Sequence, residues 1–264
     1  MNDRVSDRTQ AFTGLTENYR AFRPSYPEQT LDTLRDHVRA GATDAWPDPW
    51  LLLDVGSGTG ISTRALRQVF GPGPRVIGVE PGQDMLGAAA TETDEVEYVD
   101  ARAEDIPFPD ACAALVLTAQ AVHWFDRPAF YTESVRLLTS GGTLAVLNNN
   151  RDLSGSAFID AHEGLLERYS PGYDRYYRTY DLVGELSEVR ELTGATEHSY
   201  PWVRVLTADE YLGMALSSSK MAAVVRELGE ERTRTEILAI ADRHFPDGRV
   251  EIPYTTQLVV ARHV

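Results

Sequence analysis

Residues 50–63 read WLLLDVGSGTGIST, and few folds accommodate such a stretch. Leu51, Leu52 and Leu53, followed by Asp54 and Val55, form a short apolar run that ends at a glycine. That pattern suits a strand buried on both faces of a parallel sheet. Gly56, Gly58 and Gly60 then alternate with Ser57 and Thr59. Without Cβ atoms, such a turn can be tight, and its backbone N–H groups can approach a ligand closely. Ile61, Ala65, Leu66, Val69 and Phe70 follow at helical spacing. A strand, a glycine turn and a helix N-terminus in succession make a place for an anion or a polar ligand head.

The same rhythm continues downstream. Residues 75–80 predict a second strand ending in Glu80, residues 83–91 a helix, residues 95–100 a third strand and residues 113–118 a fourth. Residues 126–138 predict a helix, with Ser140, Gly141 and Gly142 as its stop. A fifth strand, 143–147, runs into Asn148, Asn149 and Asn150. Strands alternating with helices across short loops imply βαβ units and a parallel sheet. The rhythm then breaks. Residues 152–194 are polar, tyrosine-rich and mostly helical in pattern, as expected of a cap inserted over the sheet's carboxyl edge. Residues 196–206 and 250–261 predict two further strands, and residues 208–245 a helical stretch interrupted near Gly229. At the front, Ala11, Leu15, Tyr19 and Phe22 fall at helical spacing before Pro24, and Leu31, Leu34 and Val38 mark a second amphipathic helix. The expected division is lid helices at 1–45, a ligand-binding core at 46–150, a substrate-recognising cap at 151–195 and the rest of the core, with further helices, at 196–264.

Charge narrows the partners. The chain of 264 residues carries 25 Lys and Arg against 40 Asp and Glu, a net charge of −15. Such a surface repels phosphate backbones and anionic membranes, which leaves a small molecule as the expected partner rather than nucleic acid or membrane. Cys112 is the single cysteine, so an internal disulfide is ruled out, and its small neighbours suggest an inert, half-buried thiol. The first thirty residues have no apolar core of a signal peptide, and no run approaches a membrane span, so the expectation is a cytoplasmic protein.

In an open parallel sheet, ligands bind outside the carboxyl ends of the strands. Four features fall there: Asp54 with its glycines; Glu80, twenty residues after Gly60; the loop ARAEDIPF at 101–108; and TAQAVHWFD at 118–126. A carboxylate at the Glu80 position can accept hydrogen bonds from both hydroxyls of a ribose. The glycine spacing is GxGxG, whereas dinucleotide binders carry GxGxxG, which argues against a nicotinamide-dependent oxidoreductase.

Asp54 with this glycine turn resembles motif I of the class I S-adenosylmethionine (SAM) dependent methyltransferases. YRAFRPSYP at 19–27 resembles the Y-x3-RP-x-YP lead-in of a subgroup that includes the trans-aconitate methyltransferase-like enzymes. The loop at 101–108 and the HWFD at 123–126 resemble the segments that follow strands three and four in the same superfamily. Together the resemblance spans roughly residues 12–147. It implies a Rossmann-like α/β fold, with a mainly parallel seven-stranded sheet, helices on both faces and a helical cap. It also implies SAM as cofactor, S-adenosylhomocysteine as its product, and no metal.

By the same resemblance, Tyr19, Arg23, Asp54, Gly56, Ser57, Gly58, Thr59, Gly60, Glu80, Pro81, Met85, Ala103, Glu104, Ala119 and Gln120 would hold the cofactor. Asp54 would sit near its ammonium, Arg23 would pair with its carboxylate, and Tyr19 and Trp124 would face the sulfonium. Many relatives carry an aspartate where Arg102 stands; an arginine cannot accept from an adenine amino group, so Glu104 or backbone carbonyls would have to serve. His123 would be the general base for an alcohol, phenol or carbon acceptor, and would only position a carboxylate. Tyr26, Trp124, Asn148, Asn150, Arg151 and Tyr177 are the expected acceptor contacts. Arg151, Arg175 and Arg178 suit an acidic acceptor, whereas the tyrosines suit a flat aromatic one, and O- and C-methylation both stay open. So does a protein of this fold that binds SAM but acts as a cyclase, a lyase or a binding module.

Overall fold

The structure, a computed structural model, describes residues 24–44, 46–91 and 95–264. Tyr19 and Arg23 lie outside the described residues. The first described helix is α1 (Glu28–Ala40), which buries Leu34 and Val38. Then follow β1 (Leu51–Val55), α2 (Ile61–Phe70), β2 (Arg75–Val79), α3 (Gln83–Ala89), β3 (Glu97–Val99), β4 (Ala113–Ala119), α4 (Arg127–Leu137) and β5 (Leu138–Arg151). The second half contributes α5 (Ala157–Tyr169), α6 (Leu182–Ser187), β6 (Leu192–Thr207), α7 (Ala208–Leu216), α8 (Ser219–Leu228), α9 (Glu230–His244) and β7 (Arg249–His263).

The strands form one seven-stranded sheet in the order β3-β2-β1-β4-β5-β7-β6. The first five are parallel, and β7 returns antiparallel to both β5 and β6. The chain order reverses direction across the sheet between β1 and β4, so the carboxyl ends of those two strands flank the crevice in which such sheets bind ligands. All five residues of β1 and all seven of β4 are buried, as a strand covered on both faces requires. Successive side chains point to opposite faces. Leu51, Leu53 and Val55 join a core completed by Phe130 of α4 and Leu186 of α6. Leu52 joins the opposite core, with Leu34, Leu66 and Phe70 from α1 and α2.

Two expectations needed correcting. Ser140, Gly141 and Gly142 do not stand between a helix and a strand; they lie inside β5, which starts at Leu138 directly after α4. The pairing of β4 with β5 slips between Ala113 and Leu115, so the glycines are taken up as an irregularity of the ladder. The cap is also not one insertion. The strands β5, β6 and β7 run for 14, 16 and 15 residues, against five in β1. Their far portions support a third core, in which Phe158 and Leu166 of α5 meet Tyr211, Met221 and Ile237 of α7, α8 and α9 over Val250, Ile252 and Tyr254 of β7. The helices beyond residue 207 therefore share a core with α5, while α6 packs on the sheet instead.

Candidate active site

At the end of β1 the chain turns through Gly56, Gly58 and Gly60, whose φ angles are +73°, +55° and +82°. Two of these positions show why only glycine serves. A Cβ on Gly56 would stand 2.5 Å from the Ala121 Cβ, whereas one on Gly58 would meet nothing within 4 Å and would project into open space. That space is a cavity of about 1130 Å³ over the carboxyl ends of β1, β2 and β4. Gly56, Ser57, Gly58, Thr59, Glu80, Pro81, Met85, Ala103, Glu104, Ala119 and Gln120 all line it. From the cap side, Asn149, Asn150 and Arg151 of β5, residues 175–180 and Ser218, Ser219 and Lys220 complete the wall. Tyr26, His123 and Trp124 line it as well.

Glu80 follows the last residue of β2. Its Oε2 accepts from the Gly58 N–H at 3.0 Å and its Oε1 from the Gly82 N–H at 2.8 Å. Burial pushes the carboxyl above its ordinary range, against these two bonds. Each oxygen keeps a further lone pair, so the group can accept from a vicinal diol while it holds the turn. The hydroxyls of Ser57 and Thr59 are buried beside it without a protein partner, as polar groups awaiting a ligand would be. The turn, the diol acceptor and the buried hydroxyls fit the ribose and amino-acid ends of SAM.

Asp54 and Gly60 are not part of the cavity lining. The pleat places Asp54 on the face of Leu52, beneath α2, and there its Oδ2 accepts from Ser62 Oγ and Thr63 Oγ1, both at 2.7 Å. Asp54 is fully buried, and burial raises its carboxyl to about 6 against those two hydrogen bonds. Its place is therefore behind the glycine turn, tying β1 to the first turn of α2, and not at a ligand's ammonium. Asn148 is likewise buried away from the cavity. Its neighbour Asn149, which sequence reading passed over, lines the cavity and is held by a bond to the Ser25 carbonyl at 3.2 Å and one from Thr256 at 2.6 Å. Period-two counting from the buried Leu147 would have found it.

Glu104 does not point its carboxylate freely at a ligand either. Its Oε1 accepts from the Asp126 N–H at 3.0 Å and its Oε2 pairs with Arg102 at 3.5 Å. It thereby fastens the 101–108 loop to the N-terminus of α4, where Asp126 caps Ala129.

A 3-10 turn, Val122–Trp124, carries His123. Just before it, Gln120 adopts φ +60°, a conformation uncommon outside glycine and asparagine. Arg178 of the cap reaches both residues: its Nη1 donates to Gln120 Oε1 at 2.8 Å, and its Nη2 lies 3.3 Å from His123 Nε2. Because a guanidinium only donates, His123 Nε2 is the acceptor, and the ring proton of the neutral imidazole sits on Nδ1. Tyr177 stands edge-on to His123, with 5.7 Å between ring centroids.

Arg151 is not free for an acidic acceptor: it pairs with the buried Glu163 at 2.7 Å, and Tyr173 donates to the same carboxylate at 2.5 Å. Burial would raise the Glu163 carboxyl, but Arg151, His162 and the Tyr173 hydroxyl outweigh it and hold it below the ordinary range. Next to it, burial and then Arg151 push His162 down to about 3, so that ring is neutral and bonds to the Tyr211 hydroxyl at 2.7 Å. Arg175 is also engaged, by Glu167 and Asp160, each at 2.8 Å. The stretch between α5 and α6 is anchored at both ends, Tyr173 packing on the cap core and Tyr180 on the sheet core, where Arg127 lies 4.1 Å above its ring.

Residues 53–146 match the family described as Methyltransferase domain. An uncharacterized methyltransferase-like protein of Schizosaccharomyces pombe is 30% identical over 85% of this chain and 83% of its own length. A Dictyostelium discoideum protein with a methyltransferase name is 36% identical, and there the match spans 53% of this chain and 52% of that protein. An Anaeromyxobacter dehalogenans protein with a type II methyltransferase name superposes with a TM-score of 0.65 at 25% identity, over 92% of this chain and 98% of that one. With the GxGxG turn, Glu80 at the end of β2 and the seven-stranded sheet in place, these likenesses make the chain a member of the class I SAM-dependent methyltransferases.

Proposed function

We propose that this methyltransferase acts on a small molecule enclosed beneath the cap, and that His123 is the group that receives the acceptor's proton. The observation that carries the reading is the position of His123. It lines the same cavity as the Gly56–Gly60 turn and Glu80 on one side and Tyr177 and Arg178 of the cap on the other. When bound, SAM supplies an activated methyl group for in-line displacement, which leaves the chain to align two reactants. Glu80 and the backbone of the turn fix one of them. Tyr26, Trp124, Asn149, Asn150 and Tyr177 surround the space left for the other. By the resemblance of the sequence at 19–27, Tyr19 and Arg23, which lie outside the described residues, would contribute contacts to the cofactor. Arg178 keeps the proton off His123 Nε2, and an acceptor hydroxyl takes that bond over before transfer. A macromolecular acceptor fits poorly with a recessed cavity and a net charge of −15.

Calorimetric titration with S-adenosylhomocysteine, with NADH as control, tests the cofactor half: micromolar binding of the first alone is expected. His123→Ala tests the other half. Turnover of a hydroxyl acceptor should fall by about 10²–10⁴-fold, the usual worth of a general base, while S-adenosylhomocysteine affinity stays within about twofold. A parallel loss of both would make His123 structural.

A further inference from the structure

Lys220 is the single lysine in the sequence, and it lines the cavity. It sits in the first turn of α8, and its Nζ lies 5.4 Å from the centroid of the Tyr177 ring. The Arg178 guanidinium approaches the same ring at 5.2 Å. The other cationic side chains of the cavity wall each meet a carboxylate: Arg102 pairs with Glu104, Arg151 with Glu163, and Arg175 with Glu167 and Asp160. Arg178 and Lys220 are different. Among the described residues, neither has a carboxylate within ion-pair distance, although the chain holds 40 acidic residues to 25 basic ones. Arg178 instead spends two N–H groups on the neutral acceptors Gln120 and His123, and its Nε is buried without a partner. Two positive charges that share one aromatic ring in a recessed cavity repel each other and lack compensation, which an anion would supply.

We infer that Arg178 and Lys220, together with the Tyr177 ring, form the subsite for an oxyanion of the acceptor, a carboxylate or a phosphate. The inference rests on the reading of the cap as the acceptor's wall and names the class of acceptor it takes. The guanidinium keeps N–H groups beyond the two given to Gln120 and His123, and the ammonium adds a point charge, so both can donate to one anion beside the tyrosine ring. The placement beside His123 puts the anchored group next to the methyl-transfer position. Arg151 and Arg175 take no part.

A lone lysine makes this directly measurable. The 264-residue protein, saturated with S-adenosylhomocysteine, is reductively methylated with formaldehyde and borohydride, and Lys220 and the N-terminal amine are followed by peptide mass spectrometry. Citrate and inorganic phosphate, added in separate arms at constant ionic strength, should slow modification of Lys220 about tenfold at saturation, with the N-terminal amine unaffected; tenfold corresponds to about 1.4 kcal/mol of protection. Which of the two protects at lower concentration assigns the subsite to carboxylate or to phosphate. Equal rates with both anions and with chloride overturn the proposal. Arg178→Gln should abolish protection, and Lys220→Met should leave S-adenosylhomocysteine affinity unchanged while removing citrate or phosphate binding in calorimetry. Retained anion binding in Lys220→Met also overturns the proposal. Loss of S-adenosylhomocysteine binding by the unmodified protein would count against the cofactor site instead, which keeps the two failures apart.

Discussion

Asp54 is the residue at which sequence and structure part most clearly. Its type and position mark a ligand contact, yet the strand's pleat turns it under α2 to Ser62 and Thr63. Alternation from Leu52 carries that information, and a motif reading overlooks it. The consequence is thermodynamic. The folded carboxyl titrates near 6, above its ordinary value of 3.8. The folded state therefore binds the proton more tightly, so this residue's favourable contribution is complete below about pH 4 and is lost as the pH rises through 6. The loss amounts to about 3 kcal/mol at 1.36 kcal/mol per unit. Asp54→Asn should flatten urea-unfolding stability between pH 4 and pH 7; an unchanged slope would move the titration elsewhere. Gly58 makes the opposite case, a residue whose value lies in what it lacks. Gly58→Val forces a branched side chain into a left-handed backbone, costing about 1–2 kcal/mol of stability, and sends it into the open space over the turn. Calorimetry should show S-adenosylhomocysteine binding abolished with the sheet's circular dichroism intact.

Strands β1, β2 and β4 and their helices were legible because each is a short, strongly patterned segment bounded by glycine, proline or a cap. The cap was not. Its tyrosines at 173–180 suggest helix, but the stretch between α5 and α6 folds as successive turns, because Tyr173 and Tyr180 are drawn to two separate cores. The division of residues 208–245 into three helices was half visible: Gly229 was read as a break, whereas the one at Ser217 and Ser218 rests on serine caps that only tertiary contacts select. What fixes α5 against β5 is the Arg151–Glu163 pair, with the Glu163 side chain 2% exposed and that of Arg151 26%. Removing one partner leaves the other charge without compensation. Glu163→Ala should cost about 2–4 kcal/mol, at the lower end of losses for buried pairs because Arg151 keeps some contact with water. Thermal unfolding with and without S-adenosylhomocysteine checks it: the bound form should recover the same increment as in the unmodified chain, since Glu80 and the glycine turn are untouched.

At the scale of the molecule, β6 and β7 run from the sheet cores into the cap core, and β5 is tied to the cap by the pairing of its last residue, Arg151, with Glu163. A cap built on continuous strands does not swing as a separate body. Motion that admits ligands is left to the turns at 170–181. Hydrogen exchange should therefore show S-adenosylhomocysteine slowing the amides of 56–60 and 170–181 while those of β5 and β7 keep their rates at both ends. A concerted change along the far portions of β5 and β7 would instead indicate a hinge within the strands. Anchoring Tyr173 and Tyr180 in different cores has an evolutionary consequence. Residues 174–179 hang between two fixed posts, so their side chains can be exchanged as a cassette without disturbing either core. With the cap as the proposed acceptor wall, a chain built in this way would acquire a new acceptor by substitutions within six consecutive codons while Glu80 and the glycine turn, which these residues do not touch, are inherited unchanged.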